Sequence, residues 1–409
     1  MKWRLRLMML FEYAIWGAWY VTVGTWLGKT LHFSGQEIGA IAGTTAIGAM
    51  ISPLFVGLLA DRLFDTRRVL VALHALGAVL LLIAAQQRSF PVLYAALLAY
   101  SLCYMPTLAL TTSLAMRHIK DPQEEFGAIR VFGTIGWIVV GLVVGAWGVE
   151  ATASPLHLAA ALSVVMAGYC FTLPPTPPLA RNQRFELRHA LPLESLHLLR
   201  DRSMAVFALA SFLICIPLQF YYAFTNLFLN EIGVVNAAGK MTGGQMSEIL
   251  CMLLIPWFFR RLGVKYMLAV GMLAWVLRYA MFAFGGTGEL MWMLWLGIIL
   301  HGICFDFFFV VGQIYIDREA PSALRAATQG LITFLTYGLG MFVGSWMSGL
   351  IVDTYAATGI HDWRAIWLIA GACAALVLVL FVLMFKDRKS TVGSAVPVPT
   401  DAPPSPAST

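Results

Sequence analysis

The residues able to do chemistry in this 409-residue chain are few, and most sit where charge is costly. His301 and Asp306 fall near the middle of an apolar run, 290–314. A carboxylate there can change protonation as its surroundings change, or it can pair statically with Arg130 or Arg278. Gln245 and Glu248 are three residues apart in a second run, 243–259, so they share a helix face. Arg130, Thr134 and Trp137 follow the spacing i, i+4, i+7 at the start of another. A guanidinium, a hydroxyl and a large ring on one stripe make a surface for a polar, aromatic ligand. Gln219 and Tyr222 are again three apart, in an aromatic stretch whose lone amide needs partners inside the protein. Arg278 lies towards the end of the run 266–284 and reads as a structural residue that snorkels to the surface. Glu12, near the start of the first run, either titrates or pairs with a neighbouring cation.

Long apolar helices must position these groups. The chain is 60% hydrophobic and 12% charged, with mean hydropathy +0.79. Soluble domains carry about 25% charged residues. That contrast excludes a soluble globular protein, a disordered chain and a nucleic-acid binder. A helix needs about 20 mostly apolar residues to cross a bilayer. Such runs cover 7–27, 38–60, 69–86, 91–115, 127–148, 155–173, 204–229, 243–259, 266–284, 290–314, 326–351 and 363–385. The first follows Lys2, Arg4 and Arg6 as a signal peptide would, but it is long enough to span and contains Glu12, so it is expected to be a retained helix. An all-α membrane protein with twelve transmembrane helices is predicted.

The polar interruptions divide the chain. Residues 174–203 open with Pro174, Pro175, Pro177 and Pro178 and hold five arginines, and residues 390–409 are mostly Ser, Thr, Pro, Ala and Val. The expected organisation is therefore a six-helix bundle at 1–173, a cytoplasmic loop at 174–203, a second six-helix bundle at 204–389 and a disordered cytoplasmic tail at 390–409. With both termini in the cytoplasm, 21 Lys and Arg fall inside and four outside. That asymmetry fixes the orientation and explains the basic pI without nucleic acid. The six cysteines all lie in apolar runs, with no CxxC pair and no zinc spacing with histidine. No cofactor or metal is implied.

The two halves echo each other. Gly141 and Gly145 in the fifth run match Gly340 and Gly344 in the eleventh, and small residues at that spacing let helices approach closely. Gly57-x-x-x-Asp61-Arg62, followed by Arg67-Arg68, resembles the signature between the second and third helices of the major facilitator superfamily. The resemblance implies a 6+6 architecture with a central cavity between the halves.

Further stretches resemble the nucleoside:proton symporter family of that superfamily. They are Trp16-Gly17-Ala18-Trp19, Tyr104-Met105-Pro106-Thr107-Leu108, Ile129 to Gly136, Leu218-Gln219, Gln245-Met246-Ser247-Glu248, Ala274 to Arg278, Phe305-Asp306-Phe307-Phe308 and Arg325 to Gly330. The likeness runs from residue 8 to about 386. By position it implies that Arg130, Thr134, Gln219, Gln245, Glu248, Phe305 and Asp306 contact a nucleoside. Trp137, Tyr222 and His301 occupy site positions where the family has Phe, Asn and Tyr, and Glu12 stands where it has Gln.

The function this implies is secondary active import of nucleosides by proton symport through alternating access. Asp306 or Glu248 would carry the proton. The protein would be a monomer in the lipid bilayer of the cell inner membrane, with nucleosides and protons as its partners and no nucleic acid. The three departures keep a second reading open, a facilitator symporter for another polar solute such as a sugar or a modified nucleoside. A membrane enzyme is disfavoured, because no nucleophile, phosphate-binding or metal motif accompanies the buried acids. A non-transporting sensor on the same fold would bind without flux.

Overall fold

The computed structural model describes residues 1–121, 125–178, 193–321, 324–357 and 360–386. Residues 179–192 of the expected central loop and the expected tail lie outside this set, as does the side chain of Asp61. The described chain is almost entirely helical. In order it runs α1 (Lys2–Trp19), α2 (Val23–Lys29), α3 (Gly35–Phe55), α4 (Thr66–Gln86), α5 (Phe90–Arg117), α6 (Gly127–Trp147), α7 (Ser154–Cys170), α8 (Arg202–Glu231), α9 (Ala237–Phe284), α10 (Met291–Ile299), α11 (His301–Phe305), α12 (Val311–Glu319), α13 (Arg325–Thr333), α14 (Met341–Thr354) and α15 (Trp363–Met384). One short antiparallel pair, Ala356–Ala357 with Ile360–His361, precedes α15.

Local sequence sets the boundaries. Ser34 accepts from the Glu37 N–H while the Glu37 carboxylate accepts from the Ser34 N–H, a reciprocal cap that starts α3. Asp65, Asp201 and Asp362 cap α4, α8 and α15 in the simpler way. The expected runs 243–259 and 266–284 both fall on α9, whose helical path breaks at Gly263 with φ 68 and ψ 179. A side chain is disfavoured there, so the glycine makes the turn between the two runs. The run 7–27 is split between α1 and α2, and the run 290–314 is broken into α10, α11, a π-helical turn at Asp306–Val310, and α12.

Eight helical stretches among the described residues are long and apolar enough to cross a membrane. Helix α7, with 17 residues, is shorter. Leu76, Val79 and Ile83 on α4 and Leu376, Val379 and Leu383 on α15 are exposed on the outer surface. Rows of this kind are uncommon on soluble proteins and suit a surface that meets lipid. The interior is aromatic, and Trp19, Tyr100, Trp275 and Trp367 are among its largest fully buried side chains.

Helix α1 packs on α6 and α7, α4 on α5 and α7, and α8 on α14 and α15. Early and late parts of the chain meet where α3 packs on α14 and α6 on α9. Both glycine pairs lie at close approaches. A Cβ on Gly141 would meet Thr242 of α9 at 2.6 Å, and one on Gly344 would meet Gln219 of α8 at 2.9 Å.

Candidate functional site

Glu248 and His301 are brought together by the packing of α9 on α10 and α11. A Cβ on Gly302 would come within 2.6 Å of the Ser247 backbone, and one on Gly244 within 2.9 Å of the His301 Cβ. Only glycine permits both approaches. Ser247 clamps the contact: its hydroxyl donates to the Ile299 carbonyl at 2.7 Å and accepts from the Gly302 N–H at 3.0 Å. The Glu248 carboxylate then stands 4.0 Å from His301 Nε2. His301 is buried, with Nδ1 lacking a hydrogen-bond partner, and its ring stacks on Tyr221 and Phe305.

Asp306 opens the π-helical turn of its run. Such turns are rare and favour functional positions. The residue is fully buried, and neither carboxylate oxygen has a hydrogen-bond partner among the described residues. It lies within electrostatic range of Glu248, which in turn lies within range of Arg130. The static pair with Arg130 or Arg278 does not form.

Arg130 comes from α6, its guanidinium 4.0 Å from the centre of the Tyr13 ring. One turn on, Thr134 is half-buried, and the Trp137 ring meets Trp16 at 5.5 Å. Contacts then run from ring to ring. Trp16 meets Tyr20 at 5.5 Å, Tyr20 meets Tyr222 at 5.8 Å, and Tyr222 meets His301 edge-on at 6.4 Å. With Phe305 beyond His301, this makes a continuous aromatic wall from α6 through α1 and α8 to α11. Gln219 is fully buried beside it. Its amide nitrogen is 3.4 Å from the Tyr20 hydroxyl and its carbonyl oxygen has no partner. Gln245 is buried on α9, near Glu248. The ten expected residues thus split into a carboxylate–imidazole cluster, an arginine–aromatic cluster and two amides, joined by rings that are not among the ten: Tyr13, Trp16, Tyr20 and Tyr221.

Arg278 departs from expectation. It is fully buried and does not snorkel. Its Nε donates to the Gly297 carbonyl at 3.1 Å, and the guanidinium covers the Tyr221 ring at 4.3 Å. The charge lies behind the Tyr221–His301 stack, where a ring face can accept it. A small recess is lined in part by Ser211, Phe309, Thr336 and Tyr337, and Phe309 packs on Phe305 at 5.2 Å.

One end of the molecule is closed by polar contacts between early and late segments. Glu150, 5% exposed, accepts from Asn226 and Asn230 at 2.9 and 2.7 Å through Oε2 and from the Ala238 N–H at 3.0 Å through Oε1. The Asp353 carboxylate accepts from the Gly35 and Gln36 N–H groups at the start of α3, at 2.5 and 2.9 Å. Thr25 donates to Asn226 at 2.5 Å. Neither Glu150 nor Asp353 is among the residues singled out from the sequence.

A sequence model described as "Nucleoside H+ symporter" matches residues 1–390. YegT of Escherichia coli (strain K12) is 40% identical over 404 residues, covering 95% of each chain. The nucleoside permease NupG of the same organism is 32% identical over 407 residues, covering 95% of this chain and 96% of its own. A crystal structure of the nucleoside transporter NupG superposes with a TM-score of 0.86 over 95% of this chain and 99% of that one. The POT family transporter PepTSo, at 13% identity and TM-score 0.71 over 94% of this chain and 98% of its own, shares the fold alone. With its apolar helices, the chain is a multi-pass membrane transporter of the major facilitator type, not an enzyme. It belongs to the nucleoside H+ symporter family.

Proposed function

We propose that this protein imports nucleosides together with protons, by alternating access between two six-helix bundles at 1–173 and 204–389 joined by the loop 174–203. The twelve apolar runs support twelve crossings, the 21-to-4 split of basic residues supports both termini in the cytoplasm, and a bacterial inner membrane suits the short loops. The end closed by Glu150 and Asp353 is then the outer face, and a single chain suffices for the cycle.

The observation that carries this reading is Asp306. A buried carboxylate with both oxygens unpartnered is completed by a proton or by the donors of a ligand. The candidate residues along the ring wall and on α9 suit a nucleoside. Trp137, Tyr222, His301 and Phe305 offer ring faces to a base, while Gln219, Gln245, Glu248, Thr134 and Arg130 offer hydrogen bonds to sugar hydroxyls and base edges. Asp306 and Glu248 are the proton-coupling pair: two acids in electrostatic contact favour holding a proton between them. The 32% identity to the nucleoside permease NupG supports the same ligand class.

The test is uptake of labelled uridine and adenosine into proteoliposomes, with and without an inward proton gradient. Gradient-driven accumulation, competed by other nucleosides, is expected. Folded protein that moves neither nucleoside overturns the reading. Competition by sugars instead of nucleosides would transfer it to another polar solute, with Tyr222, His301 and Trp137 as the residues that changed the ligand.

A further inference from the structure

Glu12 and His74 form a buried pair that the coupling reading above does not use. Glu12 is fully buried on α1 and His74 is 2% exposed on α4, with Glu12 Oε2 and His74 Nε2 3.2 Å apart. Neither atom has a well-aligned hydrogen bond. The other carboxylate oxygen, Oε1, lies 2.6 Å from the Thr107 hydroxyl of α5, and that hydroxyl lies 2.6 Å from the Tyr104 carbonyl.

A threonine hydroxyl has one hydrogen. Flanked by two acceptors, it can satisfy one of them. Each contact has a hydrogen of its own when Glu12 carries a proton, donates it to Thr107 Oγ1, and leaves the threonine hydrogen to the Tyr104 carbonyl. When the proton leaves Oε1, the Thr107 hydrogen turns to the carboxylate. His74 Nε2 stands on the opposite edge of the carboxylate, where it can take or supply that proton. The Tyr104 hydroxyl donates to the Glu12 backbone carbonyl at 2.5 Å and fixes the helix turn that presents the side chain.

We propose that Glu12, hydrogen-bonded to Thr107 and with His74 beside its other oxygen, is a second proton-binding site, built into the first half of the chain. One proton binds and the pair changes charge by one unit. The titratable groups within electrostatic range of it are Tyr13 from α1, Tyr100 and Tyr104 from α5, and Cys170 from α7, with Arg130 stacked on Tyr13 beyond. Of these only Arg130 carries a fixed charge. Use of this proton in transport rests on the symport reading, whereas its binding does not.

The test is an infrared titration of the full-length protein in lipid between about pH 5 and about pH 8, the range where an unperturbed imidazole changes charge. The protonated-carboxyl band that titrates in the wild type is expected to lose one component in Glu12→Gln and to keep that component in Asp306→Asn. Thr107→Val and His74→Gln are expected to keep the band and move its midpoint, and they decide the matter if Glu12→Gln does not fold. A full-amplitude band in Glu12→Gln overturns the proposal, as does an unmoved midpoint in both partner variants. Wild-type liposomes that show the band but accumulate no nucleoside would remove the symport reading and leave this site standing.

Discussion

Glu150→Gln is expected to open the outer end of the protein. The carboxylate is held by three donors, two on one turn of α8 and one at the first turn of α9. Glutamine keeps the shape and reverses half of the chemistry. If its carbonyl keeps the Asn226 and Asn230 amides, its NH2 group faces the Ala238 N–H, donor against donor. Hydrogen bonds to a charged group contribute about 1.5–3 kcal/mol each, and a buried unsatisfied donor costs about 1–3 kcal/mol. The helix N-terminus also loses its negative partner, worth roughly 0.3–1 kcal/mol. Glutamine retains part of the hydrogen bonding, so a net loss of about 3 kcal/mol is reasonable, and it falls on the closed state. That shifts the open-to-closed ratio by about 150-fold. Spin labels at His32 and Thr354, on the early and late segments near the Asp353 contact, read the separation directly. A new long-distance population is expected. An unchanged distance distribution together with wild-type uptake would refute the assignment of Glu150 as a latch.

Four further outcomes are expected. Asp306→Asn should abolish gradient-driven accumulation while leaving nucleoside counterflow measurable, and full accumulation would remove Asp306 from coupling. Gly302→Ala should lower thermal stability and uptake together, because the added Cβ meets the Ser247 backbone at 2.6 Å and overpacking costs about 1–3 kcal/mol. His301→Phe keeps the stacking on Tyr221 and Phe305 but loses the ring nitrogens. It should raise KM about tenfold, the equivalent of about 1.4 kcal/mol, and an unchanged KM would place the imidazole outside the ligand site. Asp353→Asn should act as Glu150→Gln does but more weakly, since it loses charge on two N–H contacts and retains an acceptor for one; a spin-label response larger than that of Glu150→Gln would reverse this ranking.

Much of this was legible in the chain before folding. Composition and run length dictated apolar helices, because a bilayer leaves no other way to satisfy the backbone of a long apolar segment. Asp306, Glu248, His301 and Arg130 were visible for the same reason: a charge in an apolar run stands out against its neighbours. The close approaches at Gly141 and Gly344 also followed from local spacing. His74 went unread although the signal was present, an imidazole inside the run 69–86.

Other features were decided only by tertiary contact. Arg278 looked like a snorkelling cation, and the fold buries it over Tyr221 because α9 presents that face to α8. Glu150 sits in a short polar connection after α6, where nothing local distinguishes it from a solvated charge. Its burial depends on Asn226, Asn230 and Ala238, which lie 76 or more residues away. The ring-to-ring wall that joins Trp137 to His301 likewise needs Tyr20, just after α1, to meet Tyr222 of α8. Local patterns report what a segment must hide from water or show to lipid. Which buried polar atom finds which partner is settled by helices that meet only in the folded chain.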